Sequence, residues 1–362
     1  MDHYIKRKES VMKKRLFAIG MILMMTLLLF TACGGSSTPS DEGTSTEPVV
    51  WKISHQEATG GVFDQYANHF KELIEEKSGG AISVEVYPVG QLGDTGTQVE
   101  LIMNGGIQLG LFAAGDVGDM FPAVQATSLN FVFSDDDAIN AKVLTQGEAT
   151  KKMNEMFATK NITTYDWFTL GNMQWGSVGH ALHTMDDFKG FKMRIMASPI
   201  IAANYEALGA APTPLAFTET YSGLQLKTVE GTEQPMNAME EMKFYEVLDY
   251  IVKSNHSQMA CFMAMNSDFY NALSDDEKAM LEEIKPEMEE FALQTLESFL
   301  EEKEQIIRDS KPELVIEELT PEERAAFVEA SLPVRDRIEE FAGAEGKEIL
   351  DLLLADVENF SN

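Results

Sequence analysis

The sequence predicts an α/β protein of two domains with a long helical region towards its carboxyl end. Short apolar strands alternate with helical segments through most of the chain, which is typical of mainly parallel sheets covered by helices. The length of 362 residues is enough for two domains of ordinary size. From Ser274 onward the sequence is mostly long acidic helix.

The first strand–helix units begin with VVWKISH, an apolar strand that ends at His55. Val62 to Lys77 then places apolar residues on one helical face before two glycines. AISVEVYP alternates as a strand does, TQVELIMNGG predicts a helix, and IQLGLFAAG predicts a buried strand. Because ligands of such sheets bind at the carboxyl ends of strands, Gln56, Phe112 and Ala113 are candidate lining residues.

The middle of the chain repeats this rhythm. ITTYDWFTL and FKMRIM predict strands, SPIIAANYEALGA a helix, APTPLAF a strand and TETYSGLQLKTVEG a further helix. From Ser274 onward the sequence predicts a long acidic helix, which we expect Pro286 to kink or break.

The N-terminal residues have the layout of a secretory signal. A basic start precedes an apolar run and the ending FTAC, which resembles a bacterial lipobox and implies a lipid on the sulfur of Cys33. Residues 1–32 are thus a predicted signal peptide and residues 33–48 a flexible Gly/Ser/Thr/Pro tether. A plain signal peptide or an uncleaved anchor is the alternative, and Met12 is an alternative start to Met1.

Composition excludes several classes of partner. The chain has 59 Asp and Glu against 28 Lys and Arg, a net charge of −31, so neither nucleic acid nor anionic lipid is a charge-driven partner. Once Cys33 carries a lipid, Cys261 has no partner for an intramolecular disulfide. His180 and His183 lack a third nearby ligand, and we predict no metal site and no cofactor.

Arg194 is the candidate for ligand recognition that the residues themselves single out. No other arginine occurs between Arg15 and Arg308, although lysines are frequent there. In the FKMRIM strand, Arg194 points away from the apolar Met193 and Ile195. A structural salt bridge is one explanation; the other is a need for the planar fork that lysine cannot offer.

The stretch from DDFKGFKMRIMASPI to PTPLAF and VEGTEQP resembles the signature of solute-binding proteins of tripartite ATP-independent periplasmic (TRAP) transporters. HFKELIEEKSGGAISVEVYPVGQLGD, KFYEVLDYIVKSNH and LSDDEKAMLEEI extend the resemblance over most of the chain. It implies a periplasmic-binding-protein-like fold with a ligand cleft between two domains. The expected domains are residues 49–171 plus 260–299 and residues 172–259 plus 300–362.

The resemblance also implies roles for single residues. Arg194 would form a fork–fork pair with a substrate carboxylate, and Phe217 would pack on the ligand unless it is a core residue. A second family arginine falls on Gln174, and the family's asparagine and aspartate fall on Gln234 and Glu230. With one fixed cation, the site favours less highly charged ligands. Two further candidates complete the set: Ser198, and His256, which matches the family's asparagine–histidine pair unless it is a satisfied structural histidine.

The function implied is capture of a small organic acid outside the cytoplasm, by a protein that is lipid-anchored at Cys33. The protein would deliver the acid to TRAP permease subunits in the membrane, and it would not be an enzyme. The alternative is the ligand-binding component of an extracytoplasmic sensing system.

Overall fold

A computed structural model describes residues 47–362. The first half of the chain contains these elements in order: β1 (Val49–Ser54), α1 (Val62–Lys77), β2 (Ile82–Tyr87), α2 (Thr95–Met103), β3 (Leu109–Ala113), α3 (Asp137–Gln146), α4 (Glu148–Ala158), β4 (Ile162–Asn172) and β5 (Gln174–Ser177). Short 3-10 helices at Ala114–Val117 and Pro122–Ser128 follow β3.

The second half begins with strands and ends with helices. Its elements are β6 (Lys192–Ile195), α5 (Pro199–Ala207), β7 (Ala211–Pro214), α6 (Thr220–Gln225), β8 (Gly231–Gln234), α7 (Met236–Glu241), β9 (Tyr250–Lys253), β10 (Gln258–Asn266), α8 (Ser267–Ala272), α9 (Asp275–Ser310), β11 (Val315–Glu318), α10 (Pro321–Asp336) and α11 (Ile338–Ser361). None of the helices described between residues 47 and 362 is long and apolar enough to cross a membrane.

The strands form two sheets. Sheet A has the order β2-β1-β3-β10-β4, and sheet B has the order β11-β9-β5-β8-β6-β7. The strand–helix rhythm correctly predicts the parallel pairing of β1 with β2 and β3. In contrast, β10 is antiparallel to both of its neighbours, because the chain returns from sheet B and enters sheet A from the opposite end.

The chain crosses between the sheets at two adjacent points. Met173 separates β4 from β5, and residues 254–257 separate β9 from β10. The two crossings are hydrogen-bonded, since the Met173 amide donates to the Ser257 carbonyl at 2.8 Å. Because β4 runs into β5 at the first crossing, the carboxyl ends of β1 and β3 lie at the end of sheet A that is nearest to sheet B.

Alternating residues of the strands in sheet A enter different cores. Phe112 and Phe262 pack in the core that includes α3, α4 and α11, whereas Leu111 and Met263 face the core under α1 and α9. Such alternation is the consequence of the two-residue period of a strand. Sheet B has two further apolar clusters, one around Trp175 and one around Phe244.

The helical region departs from expectation at two places. Pro286 does not break α9, which runs as one helix of 36 residues; buried Ile284 and Met288 on either side compensate for the hydrogen bond that proline removes. The helix predicted in TETYSGLQLKTVEG ends early, at Gln225, because the chain turns at Lys227 with a φ of 58°. At the carboxyl end, α10 packs on α5, while α11 crosses to pack on α3 and α4.

Candidate functional site

A pocket lies where the ends of sheet A meet the crossings and sheet B. It is lined by Ala113, Ala114, Gly115, Thr127, Ser128, Met173, Met196, Ile201, Glu233, Ser257, Gln258, Met259 and Ala260. The two sides approach closely at Gly115, where an added Cβ would lie 2.8 Å from the Met196 side chain. A side chain at this position would therefore displace the flexible end of Met196.

Arg194 is a buried cation beside this pocket, with only 2% of its surface exposed. Its Nε donates to the Leu215 carbonyl at 2.9 Å, but its Nη1 is buried without a hydrogen-bond partner. No carboxylate of residues 47–362 lies within the 4.0 Å of an ion pair with this guanidinium. The salt bridge that could have explained this arginine is therefore not formed among these residues.

Two carboxylates interact with Arg194 over a longer distance, those of Asp116 and Glu233. Asp116 lies in the 3-10 helix that directly follows β3. Burial raises the pKa of Asp116 to about 6, although the positive charge of Arg194 opposes this shift. Burial also lowers the pKa of the Arg194 guanidinium from its ordinary value, and the two carboxylates oppose that shift.

Glu233, in β8, joins the pocket to a buried polar network. Its Oε2 accepts a hydrogen bond from the Tyr205 hydroxyl at 2.7 Å and lies 2.9 Å from His256 Nε2. His256 Nδ1 lies 2.7 Å from the Ser254 hydroxyl, and its ring stacks on Trp175. The other oxygen of Glu233, Oε1, is buried without a partner. The carboxylate is thus held rigidly by one oxygen and leaves the other free.

Phe217 lies over Arg194 and is partly buried. The Arg194 guanidinium carbon is 5.9 Å from the centre of the Phe217 ring, and this ring contacts Phe244 edge to face at 5.7 Å. The position is compatible with both expectations, since Phe217 belongs to the apolar cluster around Phe244 and also forms one wall above the guanidinium.

Gln174 and Gln234 are paired across β5 and β8, and both are buried. The side chain of Gln174 makes two hydrogen bonds with Asn255, donating to Oδ1 at 2.8 Å and accepting from the backbone amide at 3.2 Å. Gln174 therefore fixes the second crossing between the sheets. Glu230 binds the start of β6, where its carboxylate accepts a hydrogen bond from the Lys192 backbone amide at 2.9 Å.

The remaining predicted residues occupy different positions. Ala113 lines the pocket, whereas the neighbouring Phe112 points into the core beside Phe262. Ser198 caps α5 and donates to Gln125 Oε1 at 2.6 Å, so its hydroxyl is occupied. His256 belongs to the buried network of Glu233 and is not among the pocket-lining residues. Gln56 is partly buried, and its Nε2 has no hydrogen-bond partner.

A second pair of carboxylates lies at the N-terminus of α1. Glu57 follows β1, and its Oε2 accepts a hydrogen bond from the Phe63 amide at 2.6 Å. Glu241, the last residue of α7, reaches the same point, since a Cβ added to Gly61 would lie 2.7 Å from its Oε2 and 2.9 Å from that of Glu57. These residues were missed in the sequence, as were Asp116 and Glu233.

Other sequence expectations are limited by what the structure describes. Within residues 47–362 no cluster of His, Cys, Asp or Glu could hold a metal ion. His183 contacts Glu317 and Glu323 at 2.6 and 3.2 Å as a surface ion pair. Cys261 is buried in β10 as a free thiol. The predicted signal peptide, lipidated Cys33 and most of the tether lie outside the described residues.

Comparison with known proteins decides the family. The family model described as bacterial extracellular solute-binding protein, family 7 (DctP), matches residues 53–341. The chain belongs to this family. It is 34% identical over 302 residues to the C4-dicarboxylate-binding periplasmic protein DctP of Rhodobacter capsulatus, covering 83% of this chain and 89% of that protein. It is 29% identical over 311 residues to the ectoine-binding periplasmic protein TeaA of Halomonas elongata, covering 85% and 89%.

Solved structures of TRAP transporter solute-binding proteins share the fold. The ectoine-binding protein of the TeaABC TRAP transporter of H. elongata superposes with a TM-score of 0.82 at 26% identity, covering 86% of this chain and 99% of that chain. A TRAP solute-binding protein of Shewanella oneidensis with bound succinate has a TM-score of 0.78 at 29% identity, with coverage of 86% and 99%. The predicted family and the two-domain α/β fold are therefore confirmed.

Proposed function

We propose that this protein captures a small organic acid by its carboxylate and delivers it to TRAP permease subunits. The buried guanidinium of Arg194, whose Nη1 has no hydrogen-bond partner, carries the proposal. A buried cation without a direct ion pair is expensive, and a carboxylate bound bidentately would supply both a close opposite charge and the missing acceptor. Phe217 above the guanidinium would exclude water from this pair.

The relatives support a carboxylate as the shared chemistry. One is named for C4-dicarboxylates, another for ectoine, and one structure holds succinate. We propose that Gln56, Ala113, Gln174, Gln234, Ser198, His256 and Phe112 shape the cleft or support its lining. Of these, Ala113 is among the residues that line the pocket.

We further propose that the two lobes are residues 49–171 plus 260–299 and residues 172–259 plus 300–362, with α11 of the second lobe packed on the first. They would close on the ligand, since the closed state makes additional contacts with it. Small-angle scattering with and without saturating ligand would show compaction; identical curves would contradict closure.

The experiment for the proposed function starts from the purified protein. Native mass spectrometry should show a co-purifying organic acid, and calorimetry with that acid, after the protein has been stripped of it, should return a 1:1 complex. We propose capture without turnover, so the acid should be recovered unchanged by NMR after prolonged incubation. Chemical conversion of the acid would point to an enzyme instead.

A further inference from the structure

Gln125 is a buried glutamine whose side chain joins two distant parts of the chain. It lies in the 3-10 helix Pro122–Ser128, which follows β3 of sheet A, and only 1% of its surface is exposed. Its Nε2 donates to the Gly118 carbonyl at 3.0 Å, within the same part of the chain. Its Oε1 accepts hydrogen bonds from the segment that follows β6 of sheet B, 73 and 75 residues further along the chain.

The two donors to Gln125 Oε1 lie at the beginning of α5. They are the Ser198 hydroxyl at 2.6 Å and the Ile200 backbone amide at 3.2 Å. The first amides of a helix have no acceptor within the helix, and the Ser198 hydroxyl oxygen accepts from the Ile201 amide at 3.3 Å. Gln125 thus supplies a second acceptor for the start of α5, from a segment that follows the other sheet.

A further hydrogen bond joins the same two segments. Asn204, in α5, donates from Nδ2 to the Ser128 carbonyl at 2.8 Å, and only 1% of Asn204 is exposed. Thr127 and Ser128 line the pocket from the 3-10 helix, whereas Met196 and Ile201 line it from the end of β6 and from α5. The hydrogen bonds between these two segments therefore fix the distance between two walls of the pocket.

The two walls belong to different lobes of the proposed division, residues 49–171 and residues 172–259. When the lobes separate, the polar groups of these hydrogen bonds become accessible to water, which replaces the lost partners. The bonds therefore stabilise the closed form relative to the open one, each by a modest amount. Gln125 is not among the residues that line the pocket, so it affects binding through the walls that it holds and not by touching the ligand.

We propose that Gln125 is a positioning residue for ligand capture, which holds the start of α5 against the 3-10 helix when the pocket is closed around its ligand. This inference rests on the proposed function, because it takes closure of the two lobes on the ligand as given. Since Gln125 stabilises the closed form whatever acid is bound, its loss should weaken the binding of different acids by the same factor. The change should lie mostly in the dissociation rate, because dissociation requires opening.

The test compares Gln125→Met with Gln125→Glu and uses the co-purifying acid and succinate as probes. Gln125→Met keeps the length of the side chain but has no strong acceptor. For each acid that the wild type binds, we expect about tenfold weaker binding by calorimetry, with faster dissociation in stopped-flow fluorescence. Gln125→Glu keeps an acceptor for Ser198 and Ile200, and its affinity should return to within about threefold of the wild type.

Gln98→Met is the matched control. Gln98 is also fully buried and donates from Nε2 to a glycine carbonyl, that of Gly93 at 3.1 Å, but its Oε1 has no hydrogen-bond partner. This variant loses the same kind of local hydrogen bond and none to α5, so its affinity and dissociation rate should not change. Asn204→Ala removes the other hydrogen bond from the side of α5 and should weaken binding in the same way; it carries the test if Gln125→Met does not fold.

The possible results separate this inference from the proposed function. If Gln125→Met and Asn204→Ala bind and release the acids like the wild type, even with a lower melting temperature, the hydrogen bonds are a permanent structural contact and the inference is wrong. An equal loss in Gln98→Met, or no recovery in Gln125→Glu, would overturn it as well. The proposed function stands in each of these cases if Arg194→Ala loses binding, whereas wild-type affinity in Arg194→Ala would contradict the proposed function itself.

Discussion

Glu57 and Glu241 bring two buried carboxylates to the N-terminus of α1, one from the end of β1 and one from the end of α7. Burial, and next to it the charge of Glu241, raise the pKa of Glu57 well above its ordinary value. Burial likewise raises the pKa of Glu241 to about 7, although Lys303 opposes this shift. The amides of α1 favour negative charge here, but they do not compensate for two neighbouring carboxylates.

The first prediction is that Glu241→Gln stabilises the protein increasingly from pH 5 to pH 8. A carboxyl group whose folded pKa lies above its unfolded value binds more protons in the folded state, so its contribution to stability is lost as pH rises from about 4.5 through about 7. The variant should gain on the order of 1–2 kcal/mol at pH 8, measured by urea unfolding.

The neighbouring Glu240 is the matched control. Its carboxylate contacts Lys243 and Lys303, and although burial raises its pKa, the lysines outweigh burial and lower it below the ordinary value. Its stabilisation is therefore present at neutral pH and lost only at pH values below about 4.5. Glu240→Gln should destabilise the protein at pH 7; a gain from both variants would refute the assignment.

The second prediction concerns His256. His256→Ala should lower the free energy of unfolding by about 2–4 kcal/mol, because Glu233 would lose a hydrogen-bond partner while buried. His180→Ala, at an exposed histidine, should change it by less than about 0.5 kcal/mol. Equal and small changes for both would show that the Glu233 network does not hold the fold.

The third prediction concerns Gln174, where the family resemblance places a second arginine. Gln174→Arg should increase the affinity for succinate relative to butanoate, because it adds a cation near the cleft. It should also lower the melting temperature, because Asn255 would lose two hydrogen bonds. Gln174→Ala should lower the melting temperature without changing the preference. If the ratio of the affinities for succinate and butanoate is the same in both variants, charge at this position has no role.

The fourth prediction concerns the anchor. Cys33→Ser should leave the protein unprocessed or release it from membranes, because the thioether to the lipid cannot form. Ser36→Ala, in the tether, should have no effect. Membrane fractionation and the mass of the mature protein are the measurements. A Cys33→Ser protein that is still processed and still membrane-bound would disprove lipidation at this residue.

The sequence predicts local structure well where the apolar residues follow a single period, either that of a helix or that of a strand. The boundaries of α1 agree with the expected Val62 to Lys77, because its apolar face has helical spacing and two glycines follow. The tendency of proline to break helices gives a wrong prediction at Pro286, because packing stabilises α9 enough for the helix to continue through this residue. Strand alternation predicts that Arg194 points away from Met193, but neither its burial nor its missing ion pair could be predicted.

The contacts that define the site depend on long-range geometry. Asp116 and Arg194 are far apart in sequence, and they interact electrostatically because the chain folds so that both come to the same cleft. The sequence did contain an indication that these two acids lie at the site, since Asp116 follows a buried strand and Glu233 lies in the VEGTEQP stretch. Nothing in the sequence pairs Glu57 with Glu241, because that contact requires the two sheets to meet at Gly61.

The central claim is that Arg194 binds the ligand carboxylate, and calorimetric titration of Arg194 variants with the co-purifying acid tests it most directly. Arg194→Ala should lose about 2–5 kcal/mol of binding free energy, roughly thirty-fold to several thousand-fold in affinity. Arg194→Lys keeps the charge without the planar fork and should also bind substantially more weakly. Thermal melts of the ligand-free variants should change little, because Arg194 forms no ion pair within residues 47–362. Near-native affinity in Arg194→Ala, with a lowered melting temperature, would contradict the account.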